Sequence, residues 1–309
     1  METTHLFGVN GMNITNAAYI VAAILFIVGL KQLGSPATAR NGNRMSALAM
    51  LVAIVATVVG NDIASWEFIL AGAIVGSAIG AFSARKIAMT SMPQLVAIFN
   101  GFGGAASAVI ATAALIKLID DGADIAQDVS ITIMASVIVG GVTLTGSFIA
   151  YGKLQGIVPT RPILLPIRNV INVALLIGMI ASIVWLVIDP SMTAFMIAGA
   201  IALALGILVV IPIGGADMPV VIALLNSYSG IAGAATGFVL GNTVLIIAGS
   251  LVGASGLILT RIMTKAMNRS LANVILGGFG VEDGAASAGG DDDRPVTSIQ
   301  PEDAAMMLA

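Results

Sequence analysis

Nine apolar runs dominate this chain of 309 residues, at about 15–33, 44–60, 65–84, 91–117, 129–151, 168–188, 192–213, 218–240 and 243–263. At about 1.5 Å of rise per residue, each can cross a hydrocarbon layer about 30 Å thick as a helix. No water reaches backbone N–H and C=O groups in such a layer, so each run must satisfy them internally, and a helix does so. The expected fold is an all-α polytopic membrane protein with about nine transmembrane helices spanning 15–263. Composition agrees, with 58% hydrophobic residues, 9% charged residues and a mean hydropathy of +1.04. A soluble domain of this length carries far more charge. With 36 glycines and few aromatics, the helices are expected to pack by close backbone approach.

The loops sort by sign. Lys31, Arg40 and Arg44 follow the first run, Arg85 and Lys86 the third, and Lys153, Arg161 and Arg168 the fifth, while Arg261, Lys265 and Arg269 end the ninth. The alternate loops hold Asp62, then Asp120, Asp121, Asp124 and Asp128, then Asp189, with Lys117 as the exception. The positive-inside rule then puts the N-terminus outside and the C-terminus in the cytoplasm. Residues 1–14 form a short N-terminal segment with no basic n-region, so no cleaved signal peptide is expected. Residues 264–280 read as a basic amphipathic segment at the interface, stopped by Gly277 and Gly278. Residues 281–309 read as an acidic hinge or linker. Within it Pro301, Glu302 and Asp303 look like a first helical turn, and the linker implies a soluble partner domain.

One stretch stands out, GGADMPVVIALLNSYSG at 214–230. Asp217 occupies an N-cap position and Pro219 the first turn, where its missing N–H costs nothing. Asn226 then falls about 13 Å along the helix, near mid-bilayer, one turn from Ser229. A shift of 126 residues lays 91–104 on 217–230: Ser91-Met92-Pro93 on Asp217-Met218-Pro219, Asn100 on Asn226, Gly104 on Gly230. Ser91 with Gln94 has the spacing of a capping box. Spans five and nine share a weaker likeness, LTGS at 144–147 against ASGL at 254–257. Runs 3–5 and 7–9 thus read as a parallel internal repeat. Asn100 and Asn226 would then share one depth; chance similarity among Ala/Gly/Val-rich helices is the competing explanation.

No Asp, Glu, His or Lys falls in the central part of any span, and the single histidine, His5, precedes the first. The chain therefore lacks a mid-membrane titratable group, the usual basis of a proton relay. It offers Asn100, Asn226, Ser229, Thr143, Thr145 and Ser255 instead. An amide has two donors and two acceptor lone pairs and can hold a water chain without titrating. For Ser and Thr, helix-to-helix hydrogen bonding is the plainer role. Asp217 is either an ordinary N-cap or a charge that pairs with Lys265 or Arg269. Those two cations are in turn either interfacial anchors or part of a coupling device. GGFG at 277–280 lacks the strand–turn–helix setting of a phosphate loop, no metal-ligand cluster is visible, and nothing points to nucleic acid.

The stretch at 214–230, its continuation LVGASGLILTRIMTKAMNRSLANVILGGFG, and the MPQLVAIFNGFGG and TGSFIAYGKLQG segments closely resemble the beta subunit of proton-translocating NAD(P) transhydrogenase. The likeness runs from Ala17 to about Ala309. It implies a multi-pass protein of the bacterial inner membrane that couples proton movement to hydride transfer between NAD(H) and NADP(H). Both nucleotides would sit on partner domains, an NADP(H)-binding domain after the linker and an NAD(H)-binding domain on the alpha side. The whole enzyme would be a dimer. By the resemblance Asn226, Ser229, Ser255 and Gly256 line the proton path, while Asp217, Lys265 and Arg269 couple it to the nucleotide domain. Many relatives carry a protonatable histidine where this chain has Asn100. A small membrane subunit on the alpha side is therefore expected to supply the histidine beside it. The rival readings are a secondary transporter or channel for a small solute, and a structural anchor for soluble subunits.

Overall fold

The computed structural model describes residues 11–60, 66–122, 125–163, 167–189 and 191–276. His5, Asp62, Asp124, the stop at Gly277 and Gly278 and the linker from 281 lie outside them. Among the described residues lie α1 (Gly11–Leu33), α2 (Ala39–Gly60), α3 (Trp66–Lys86), α4 (Met92–Asp120) and α5 (Gln127–Leu154). They continue as α6 (Arg168–Ile188), α7 (Met192–Val210), α8 (Met218–Val239), α9 (Thr243–Ala266) and a short α10 (Leu271–Leu276). Nine of the ten are long and apolar enough to cross a membrane, and no strand occurs among the described residues.

Several boundaries differ from those expected. α2 begins at Ala39, α4 runs to Asp120 and α9 to Ala266, because a helix continues past its apolar run into charged residues such as Arg40 and Lys265. α7 ends at Val210 instead of 213, since Pro212 lacks an N–H and disfavours helical dihedrals in the residue before it. Lys153, expected in a loop, lies in the last turn of α5 and is fully buried.

The helices pack as antiparallel hairpins held by backbone proximity. In the α4–α5 pair a Cβ on Gly140 would stand 2.5 Å from the carbonyl oxygen of Gly104. In the α8–α9 pair a Cβ on Gly230 would stand 2.4 Å from the amide of Gly253 and 2.8 Å from the Gly249 carbonyl. Only glycine permits either approach. α1 and α2 pair in the same way at Gly29 and Gly42. α5 is the hub, packed against α4, α7 and α8, and with α8 it is the most enclosed helix. α3 has no buried residue.

Where α4, α5 and α8 meet, the Ser136 hydroxyl lies 2.6 Å from that of Thr236, with the carbonyls of Ser107 and Ala232 accepting around them. Towards the Asp120 end the core is Leu115, Ile133, Met134, Leu186 and Phe195. Towards the Asp217 end it is Val210, Met218, Val221, Leu225 and Val274.

Two outcomes follow for the detergent-solubilised protein, read by thermal unfolding through Trp66 and Trp185. G230A destabilises it by about 1–3 kcal/mol, the usual cost of overpacking, whereas G72A, facing open space, does not lower the melting temperature. S136A costs about 0.6 kcal/mol and no more than about 1.7, because Thr236 keeps its bond to Ala232.

Candidate functional site

α8 starts from a single 3₁₀ turn, Gly215–Asp217, followed by Met218 and Pro219. The same turn precedes α4 at Met89–Ser91, followed by Met92 and Pro93. In neither case does the last residue of the turn cap the helix with its side chain. Asp217 at φ −90°, ψ −5° and Ser91 at φ −101°, ψ 9° lack the extended backbone that a capping side chain needs. The capping box expected at Ser91 and Gln94 is therefore not formed. Gln94 instead points its amide N–H towards the Leu154 carbonyl at 3.5 Å.

Freed from capping, the Asp217 carboxylate forms an ion pair with Arg269 through Oδ2. After α9 the chain turns at Asn268, whose φ of +54° lies in the left-handed region. The Arg269 amide closes the turn on the Thr264 carbonyl. α10 then folds back, seating Leu271 and Val274 against apolar residues of α8. Burial is unequal, with the Asp217 side chain 12% exposed and the Arg269 side chain 49%. Asp217 Oδ1 is enclosed and has no hydrogen-bond partner. Arg269 can leave for water at small cost, whereas Asp217 left behind is a nearly buried, unpaired charge. Lys265, also a candidate partner, is exposed in the last turn of α9 and is not in the pair.

Deeper in the bundle Asn100 is buried, and its Nδ2 donates to Ser147 Oγ on α5 at 3.1 Å. Its Oδ1 is enclosed without a partner. Three residues on, Gly103 faces Ser229 of α8, where an added Cβ would lie 4.0 Å from the Ser229 Cβ. Asn226, half-buried, stands three residues before Ser229 on α8, and the Ser229 hydroxyl donates back to the Asn226 carbonyl at 2.9 Å. Asn100 and Asn226 thus each stand three residues before the Gly103–Ser229 contact of α4 and α8, Asn100 turned to α5.

Gly256 joins them as a packing element, since a Cβ there would lie 2.7 Å from the Ser227 amide. Ser255 does not: it is exposed on the outer side of α9. Thr143 and Thr145 bond back to Val139 and Gly141, and Thr145 also reaches the Leu203 carbonyl of α7 at 2.8 Å. Thr143 is thus a back-bonding group, and Thr145 bonds both back along α5 and across to α7.

Ser229 also lines a cavity of about 370 Å³ between α1, α2, α4, α8 and α9, together with Asn43, Ser46 and Gly249. Ser46 Oγ is enclosed and unpartnered. Ser147, Asn43 and Ser46 were missed in the sequence. For Ser147 a signal existed in the LTGS segment, whose glycine marks a close helix approach. The site can hold water or a protic group between amides and hydroxyls. Among the described residues no group of three or more His, Cys, Asp or Glu could hold a metal ion.

A family model described as NAD(P) transhydrogenase beta subunit matches residues 15–309. Two sequences of Rhodospirillum rubrum, each named NAD(P) transhydrogenase subunit beta, are 46% identical to this chain over 301 residues. The match covers 96% of this chain and 65% of each relative, so the chain spans slightly less than two thirds of their length. The chain belongs to the NAD(P) transhydrogenase beta subunit family.

Proposed function

We propose that this chain is the membrane portion through which an NAD(P) transhydrogenase couples proton movement to hydride transfer between NAD(H) and NADP(H). The observation that carries the reading, within that family, is a pair of amides, Asn100 and Asn226, each one turn from the Gly103–Ser229 contact of α4 and α8. Asn100 is held on one side by Ser147 and offers an enclosed, unpaired Oδ1 on the other. Asn226 stands beside the same contact, and neither group can titrate. The proton carrier must then be water together with a side chain lent by a partner. A histidine from a small membrane subunit on the alpha side, placed beside Asn100, would meet that need.

The two helices enter from identical turns 126 residues apart, and Gly103 meets its repeat mate Ser229 directly. These features support the parallel repeat of spans 3–5 and 7–9, with Asn100 and Asn226 at one depth. The sorting of Arg and Lys to one set of loops supports an external N-terminus and a cytoplasmic C-terminus in the bacterial inner membrane. On that side Asp217 and Arg269 face the NADP(H)-binding domain, while NAD(H) is bound on the alpha side and the whole enzyme is a dimer.

A proton crossing the membrane carries about 2.3 kcal/mol per 100 mV, which an open water wire would dissipate. Passage therefore has to follow the redox state of the nucleotide. The unequal burial of Asp217 and Arg269 suits this task. A nucleotide domain that draws Arg269 or Lys265 away leaves a charge at the mouth of α8 in need of a new partner. Asp217 thus reports the domain's position to the helix bearing Asn226.

In the complete enzyme reconstituted in liposomes, N226L lowers coupled proton pumping at least tenfold while the folded yield stays at the wild-type level; undiminished pumping would refute the role of Asn226. Separately, D217N and R269Q each reduce the number of protons moved per hydride, and the double variant is no worse than D217N. Additive losses would show that the two residues act apart.

A further inference from the structure

Lys153 is the one fully buried lysine among the described residues, and the path outlined above does not use it. It projects from the last turn of α5 towards the end of α7, which runs parallel to it. Its Nζ donates to the carbonyls of Ile211 at 2.6 Å, Ile213 at 2.7 Å and Arg161 at 3.3 Å. An ammonium has three N–H donors, and all three are used. The only ion pair among the described residues is that of Asp217 and Arg269, so Lys153 has no carboxylate partner. Its charge is answered by carbonyl dipoles at the C-terminus of α7, the negative end of that helix.

What these carbonyls belong to gives the lysine its consequence. Ile211 is the C-cap of α7, and Pro212 prevents the helix from continuing. Ile213 leads directly into Gly214 and the Gly215–Asp217 turn that starts α8. The neighbouring loop is laced to the same strip of chain, with the Ile163 amide on the Ile211 carbonyl at 3.4 Å and the Gly215 amide on the Thr160 carbonyl at 2.8 Å. Two glycines in succession would otherwise leave this strip free to vary. A buried ion without a counter-ion contributes little to stability that a hydrophobic side chain of equal size would not. A three-way clasp, by contrast, sets geometry.

We infer that Lys153 is a positioning residue for coupling: by clasping the end of α7 it sets the turn that aims Asp217 at Arg269. The inference rests on the proposed role of Asp217, and its test separates the two. In the complete enzyme in liposomes, the ratio of protons moved to hydride transferred is measured for K153M, D217N and K153M/D217N, each normalised to assembled enzyme. The expected result is a ratio at least fivefold below wild type in K153M, with the double variant equal to D217N.

A K153M enzyme that assembles poorly but keeps the wild-type ratio would make the lysine merely structural and overturn the inference. So would independent, multiplicative losses in the double variant. If K153M does not assemble, K153R is read by the same criteria, because a planar guanidinium cannot direct three N–H groups to these carbonyls as an ammonium does. If D217N itself leaves the ratio unchanged, the role proposed for Asp217 fails first. If D217N lowers the ratio and the lysine variants do not, only the present inference fails.

Discussion

Helices in hydrocarbon gain nothing from hiding apolar side chains from one another, because lipid tails are just as apolar. What holds this bundle is backbone contact, at Gly104 on Gly140 and at Gly230 on Gly249 and Gly253. At such distances dispersion contacts run along whole helix faces, and polar groups on one helix come within reach of the next. The Asn100–Ser147 hydrogen bond exists because Gly101 and Gly104 let α4 and α5 close to that range. The glycines are therefore a precondition of the site as well as of the fold.

Tight packing also explains why an unpaired polar atom here is informative. Most buried polar groups in folded proteins find a partner. In this bundle Ser136, Thr236, Ser227 and Thr260 all do so, mostly with a carbonyl on their own or an adjacent helix. Against that background the enclosed oxygens of Asn100, Ser46 and Asp217 are exceptions, as are those of Gln32, Gln94, Ser130 and Asn172. The first three belong to α4, α2 and the turn before α8, where an enclosed water could complete them.

The spans were legible because their signal is one-dimensional: about twenty apolar residues admit one structure in lipid, whatever packs beside them. Asn226, Asn100 and Asp217 could be read for a related reason, as each is a polar residue in a context that penalises it. The choice among Asp217's possible roles could not be read, since it depends on a 3₁₀ turn that rotates the carboxylate away from the helix amides and on the bend at Asn268 that brings Arg269 back. Ser255 looked equivalent to Gly256 in sequence, yet one step along a helix turns a side chain by about 100° and leaves Ser255 on the outside. Lys153 misled in the opposite direction. A cation after an apolar run looks like an interfacial anchor, and nothing local reveals that the carbonyls of a helix 58 residues further on will enclose it.

The proposed coupling role has a physical requirement of its own. For Asp217 to report a change outside the membrane, the frame around it must not absorb that change. α8 is anchored along its length by the glycine contacts with α9, but the turn that leads into it opens on Gly214 and Gly215, where side chains restrain the backbone least. Lys153 and the Thr160–Gly215 hydrogen bond stiffen that point from the α5 side, while α10, through Val274 and Leu271, closes on it from the α9 side. Between these two supports the Asp217–Arg269 pair is the part with a low-cost alternative, because the Arg269 side chain is already about half exposed. Under the proposed coupling role, a displacement imposed on Arg269 would pass to the carboxylate and into α8, and would not be spent in the loop.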